Sequence, residues 1–140
     1  MSDRRLGYRG STGGRAAPNL RWFFFGLSGR IGRLPYILGN LFFVAVTGVI
    51  INQLMIVPED SREIDLWSLL FMLLLPTVLW TSIAMAVKRL HDINLPGPVA
   101  ICLFVPAVSL VAVLVLCFWP GTQGGNDYGD ETNRPKEPRT

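Results

Sequence analysis

His91 and Asp92 are the adjacent pair in this 140-residue chain whose side chains most suggest chemistry. An imidazole beside a carboxylate can act as an acid–base pair or begin a metal site. His91 is the single histidine, however, and a catalytic zinc needs three protein ligands. A metal-dependent phosphohydrolase built on such a pair would need further His and Asp ligands, which are missing. No Walker A loop, Gly-x-Ser-x-Gly elbow or His-Glu-x-x-His occurs either. The pair therefore reads as structural, with neither metal nor cofactor expected. Asp92 is expected to pair with Arg89 or another arginine. His91 is expected to help end a helix, where a cation suits the dipole.

The second group with chemical potential is basic. Ser28-Gly29-Arg30-Ile31-Gly32-Arg33-Leu34-Pro35 enters one apolar run, and Lys88-Arg89-Leu90-His91-Asp92 leaves another. Arg30 and Arg33 are three apart and share a face on a helical turn. Joined with Lys88 and Arg89, they would make a pocket for an anionic lipid headgroup or small anion. The simpler reading is anchoring, each side chain snorkelling to lipid headgroups.

The elements that must position these residues are apolar. Half of the chain is hydrophobic and 16% is charged, against about 25% charged in average soluble domains. The mean hydropathy is +0.38. Residues 36–57, 66–87 and 97–119 are uncharged runs of 22, 22 and 23 residues. A bilayer core of about 30 Å needs about 20 apolar helical residues. The expected fold is all-α: an integral membrane protein with three transmembrane helices. A soluble helical bundle would have too little polar surface to cover them. Residues 1–20 read as a flexible Gly/Arg-rich tail. Residues 21–35 read as a short interfacial segment, since aromatics beside arginines favour the headgroup zone; no small-residue cleavage site marks them as a signal peptide. Residues 58–65 form an acidic loop, 88–96 a basic loop, and 120–140 a polar C-terminal tail.

Charge distribution sets the expected orientation. The net charge is +3 and the pI about 9.2. Seven of the thirteen basic residues precede position 34, all of them arginine. That clustering fits the positive-inside rule better than nucleic-acid binding. Lys88 and Arg89 join the same side; Arg62, Arg134, Lys136 and Arg139 fall on the other. The N terminus and the 88–96 loop are expected in the cytoplasm, and three crossings would put the C terminus outside.

Within the spans, Pro76 should kink the second and Pro106 the third, freeing the carbonyls of Met72 and Cys102; Thr77 and Thr81 are near enough to compensate. Cys102 and Cys117 would lie about 22 Å apart on one helix and cannot bridge. Small residues such as Ala45, Gly48, Ser82 and Ala86 permit close helix approach. No charged residue lies deep in a span, which argues against a proton-coupled transporter.

The Ser28–Tyr36 stretch, the Lys88–Asp92 stretch, Pro120-Gly121-Thr122, Gly125-Asn126 and Tyr128-Gly129 together resemble the family called domain of unknown function 805, small bacterial inner-membrane proteins of the YhaH type. The likeness runs over about residues 22–130. The chain departs from that pattern in its longer Gly/Arg-rich tail and in Gly97-Pro98, where aromatic residues are usual. The resemblance implies a bacterial inner-membrane protein and supplies no catalytic residue. The expected function is non-enzymatic, acting through a membrane-protein partner or self-association among membrane lipids. The alternatives are an anionic-lipid or small-anion module using Arg30, Arg33, Lys88 and Arg89, and a membrane enzyme using His91 and Asp92.

Overall fold

The computed structural model describes residues 18–136. Residues 1–17 and 137–140, with Arg4, Arg5, Arg9, Arg15, Arg139 and most of the expected 1–20 tail, lie outside them. The described chain is helical, with no strand beyond two isolated bridges. Helix α1 spans Leu20–Phe25, α2 Arg33–Ile56, α3 Arg62–Asp92 and α4 Pro106–Phe118; a 3-10 helix, Gly97–Phe104, precedes α4.

Helix α1 begins where the Asn19 side chain accepts from the Trp22 amide at 2.7 Å, satisfying one of the amides a helix start leaves free. Helix α2 starts at Arg33 and runs 24 residues, about 36 Å. A turn follows, tied by Ser61 Oγ donating to the Pro58 carbonyl. Helix α3 then runs back for 31 residues, about 46 Å. Glu63 and Asp65 lie in its first turn and Arg89 in its last, each matching the sign of the nearby helix end.

Both long helices are apolar and long enough to cross a membrane, and little of either is buried within the chain. Their outer residues are apolar: Met55 is 82% exposed and Met72 71%. The buried core gathers at one end of the α2–α3 pair, around Ile31, Tyr36, Met85, Ala86, Leu90, Ala100 and Leu116. There the two helices approach closely, so that a Cβ on Gly39 would stand 2.5 Å from Met85 Sδ.

Two expectations need correction. The basic loop 88–96 is mostly helix, because Lys88–Asp92 form the last turns of α3. Lys, Arg and Leu are good helix formers; what ends the helix is Asn94, in the left-handed region at φ 60°, followed by Pro96. The run 97–119 is not one helix either. Pro106 disfavours helical geometry in the residue before it, and Val105 is extended at φ −95°, ψ 111°. The Cys102 carbonyl is not freed, since it accepts from the Val105 amide, and Pro106 opens α4 at a position where no amide is needed. The chain therefore folds into a hairpin, with legs of about 16 Å and 20 Å by helical rise.

Both ends of that hairpin meet the last turn of α3. Gly97 packs against Val87 and His91. At the other end, Leu116 and Trp119 present their carbonyls to Arg89, and the Thr122 amide donates to the Asp92 carbonyl at 2.8 Å. The C-terminal segment thus returns to the end occupied by Arg30, not the opposite end. A count of apolar residues assumes a straight helix and cannot register such a reversal. Pro76, by contrast, lies inside the unbroken α3. Thr77 Oγ1 donates to the Leu73 carbonyl rather than that of Met72, and the buried Thr81 hydroxyl has no partner.

Candidate functional site

At the end where these segments meet, two of the four basic candidates, Arg30 and Arg89, converge on Asp92, and a third, Lys88, is buried beside them. Arg30, Lys88 and Arg89 are fully buried and Asp92 nearly so. Arg33, at the start of α2, is exposed.

Arg30 reaches the cluster from an extended segment before α2. Gly29 takes φ 90°, and a Cβ there would collide with the Arg134 carbonyl, so only glycine fits that approach. The Arg30 amide donates to the Arg134 carbonyl, and the Asn133 amide donates back to the Arg30 carbonyl. The guanidinium then makes five contacts. Its Nε and one terminal nitrogen meet Asp92 Oδ1 at 3.2 and 3.1 Å. The other contacts are the carbonyls of Thr122 at 2.7 Å, Gly124 at 2.6 Å and Gly129 at 3.1 Å. All three guanidinium nitrogens are thus engaged within the chain, and the side chain is fully buried away from any outside anion.

Arg89 approaches Asp92 from the other side and holds Oδ2, while its Nε donates to the Leu116 carbonyl at 2.8 Å and another nitrogen to that of Trp119. Thr132 Oγ1 donates to Asp92 Oδ1 at 2.8 Å. Both carboxylate oxygens are therefore engaged. Two arginines against one aspartate leave a surplus positive charge. The carbonyls at the end of α4 offset part of it, where a helix carries partial negative charge.

Lys88 turns toward α1. Its Nζ donates to the Trp22 carbonyl at 2.8 Å and also to that of Phe23, and it stands 4.8 Å from the Trp22 ring centroid, a cation–π distance. His91 stacks flat on Tyr128, with centroids 4.0 Å apart and planes 5° from parallel. Its Nδ1 faces the Gly29 carbonyl at 3.2 Å, which favours the tautomer with a proton on that nitrogen. Asn126 Nδ2 donates to the His91 carbonyl at 2.7 Å.

The arrangement is a clasp. It fastens the N-terminal segment, the end of α3, the hairpin and the C-terminal segment through buried charge. The chain itself occupies the anion pocket expected from Arg30, Lys88 and Arg89, because main-chain carbonyls and Asp92 use the donors. Pro76 is exposed and Pro106 marks the hairpin turn; both lie away from the clasp. Among the described residues no three His, Cys, Asp or Glu side chains gather as metal ligands. Sequence reasoning missed the C-terminal half of the clasp. Thr122, Gly124 and Gly129 take part through carbonyls, which every residue type has. The one available signal was the run of turn-forming Gly and Asn at 121–129, which lets a short segment aim several carbonyls inward.

The family described as "Protein of unknown function (DUF805)" matches residues 24–130. The "Inner membrane protein YhaI" of Escherichia coli (strain K12) is 35% identical over 108 residues, covering 77% of this chain and 86% of the relative. Its counterpart in Escherichia coli O157:H7 matches equally. No solved structure matches. Since the family match takes in Arg30, Lys88, Arg89 and Asp92 along with both long helices and the hairpin, this chain belongs to the DUF805 family.

Proposed function

We propose that the chain is a non-enzymatic protein of the bacterial inner membrane that works through a membrane-protein partner or a second copy of itself. One observation carries this reading: the clasp is saturated from within. Every guanidinium nitrogen of Arg30 and both carboxylate oxygens of Asp92 are engaged within the chain, so the residues most suited to acid–base or anion chemistry hold the fold together. The apolar outer faces of α2, α3 and α4 support a bilayer setting, as does the kinship to an inner membrane protein.

In this reading α2 and α3 cross the bilayer and the hairpin dips in and returns. Arg21, Arg30, Arg33, Lys88, Arg89, Arg134 and Lys136 then share one side, with Arg62 alone on the other. The positive-inside rule makes the clasp side cytoplasmic. A reporter that fluoresces only in the cytoplasm should be active when fused after Thr140 and silent when inserted at Asp60; the reverse pattern overturns the orientation. Crosslinking in native membranes followed by mass spectrometry should recover a repeated partner or a dimer. Recovery of monomer alone at native expression overturns the partner reading.

A second reading keeps an anionic lipid headgroup at the same surface. It rests on Arg33, which stays exposed at the start of α2. Native mass spectrometry in lipid mixtures tests it: Arg33→Ala should lose anionic lipid that the wild type retains, and equal retention removes the idea.

A further inference from the structure

The hairpin encloses space. Between the 3-10 helix, α4 and the last turn of α3 lies a cavity of about 250 Å³, lined by twelve residues that are all aliphatic except Cys102. Leu90 and Leu95 line its clasp end, and Leu103 and Val108 lie nearest the hairpin turn; Ala112 is on the α4 wall. It is open along one flank, because Val108 and Val111 line it and are also 44% and 61% exposed. The opening is continuous with the apolar outer surface of α4.

We propose that this cavity holds one acyl chain of a membrane lipid from the leaflet on the clasp side. The inference rests on the membrane setting proposed above. Size fits: an apolar cavity of about 150 Å³ takes benzene, so 250 Å³ takes roughly ten carbons. Depth fits too. Hairpin legs of about 16–20 Å reach little beyond the middle of a core about 30 Å thick, so the cavity lies mostly within one leaflet. Its Leu90–Leu95 end adjoins the clasp, so a chain lying in the cavity would have its headgroup on the clasp side. Water does not suit the site, because a buried water needs two to four polar partners and no polar side chain lines these walls. A chain entering from the bilayer gains no hydrophobic transfer energy, since lipid tails are as apolar as leucine. It gains the dispersion contacts that an empty cavity forfeits. The expected outcome is therefore selective residence rather than tight affinity.

The test uses the full chain in nanodiscs of phosphatidylethanolamine and phosphatidylglycerol. A small fraction of the phosphatidylglycerol carries a diazirine midway along one acyl chain. After illumination, peptides from 97–116 should carry several-fold more label than the exposed faces of α2 and α3. Ala112→Phe fills the cavity and should bring that label down to the α2 level; Ala112→Leu should reduce it less, which keeps the test valid should the larger side chain disturb folding. Uniform labelling that neither variant changes overturns the proposal. A water-soluble maleimide separates this from failure of the membrane setting. Cys102, near the hairpin turn, should resist it in the intact nanodisc; ready modification there overturns the setting itself.

Discussion

The two ends of the α2–α3 pair are built on opposite principles. At the clasp end, four segments distant in sequence are joined by buried charge, and nearly all of the core lies there. At the far end, a turn of Pro58, Glu59 and Asp60 joins two helices whose outer side chains are exposed and apolar. The far end needs little from the chain itself, because backbone hydrogen bonds within each helix suffice in lipid. The clasp end must bring together segments that no helix connects, and it does so with charges that cannot be left unpaired.

Asp92→Ala should have the largest effect, because it strands Arg30 and Arg89 in a buried site. Removing one partner of a buried pair costs about 3–5 kcal/mol, a loss readable by thermal unfolding in detergent. Hydrogen exchange should show 122–134 losing protection while the middles of α2 and α3 keep theirs; equal loss along the whole chain would erase the contrast between the ends.

Gly39→Leu should come next. Its side chain would press on Met85, where α2 and α3 approach closely. Overpacking of this kind costs about 1–3 kcal/mol, and a second change, Met85→Ala, should restore much of it. The same substitution at Gly48, which has nothing near its Cβ position, should hold or raise the unfolding temperature, since Gly is a poor helix former.

Tyr128→Ala should have a smaller effect, removing the ring stacked on His91. An aromatic pair contributes about 0.5–1.5 kcal/mol beyond its buried area. Exchange protection should fall at 126–129 and hold at 30–32. The smallest effect is expected from Glu59→Gln in the far turn, which should leave both stability and exchange unchanged; a measurable loss would mean that the far end has tertiary structure of its own.

How far each end can be read from sequence follows from the same contrast. The two long helices are legible because hydropathy and length are what a bilayer responds to. The residues of the clasp are legible as a group, since Arg30, Lys88, Arg89 and Asp92 stand out at the edges of apolar runs. Their partners are not, because the carbonyls of Trp22, Leu116, Thr122 and Gly124 carry no side-chain signature. The hairpin was hidden for another reason. Twenty-three uncharged residues satisfy the length criterion, and only Val105 before Pro106 marks where the direction reverses.

The clasp also imposes a schedule on synthesis. Asp92 emerges some sixty residues after Arg30, and the carbonyls and hydroxyl between Thr122 and Thr132 follow after both. At roughly 5–20 residues per second, about 2–8 seconds separate Asp92 from Thr132. Through that interval the pair α2–α3 can already lie in the bilayer while its charged residues stay hydrated at the surface. Only the stretch from Thr122 to Thr132 draws them inward, so the clasp closes well after the residues at its centre are made.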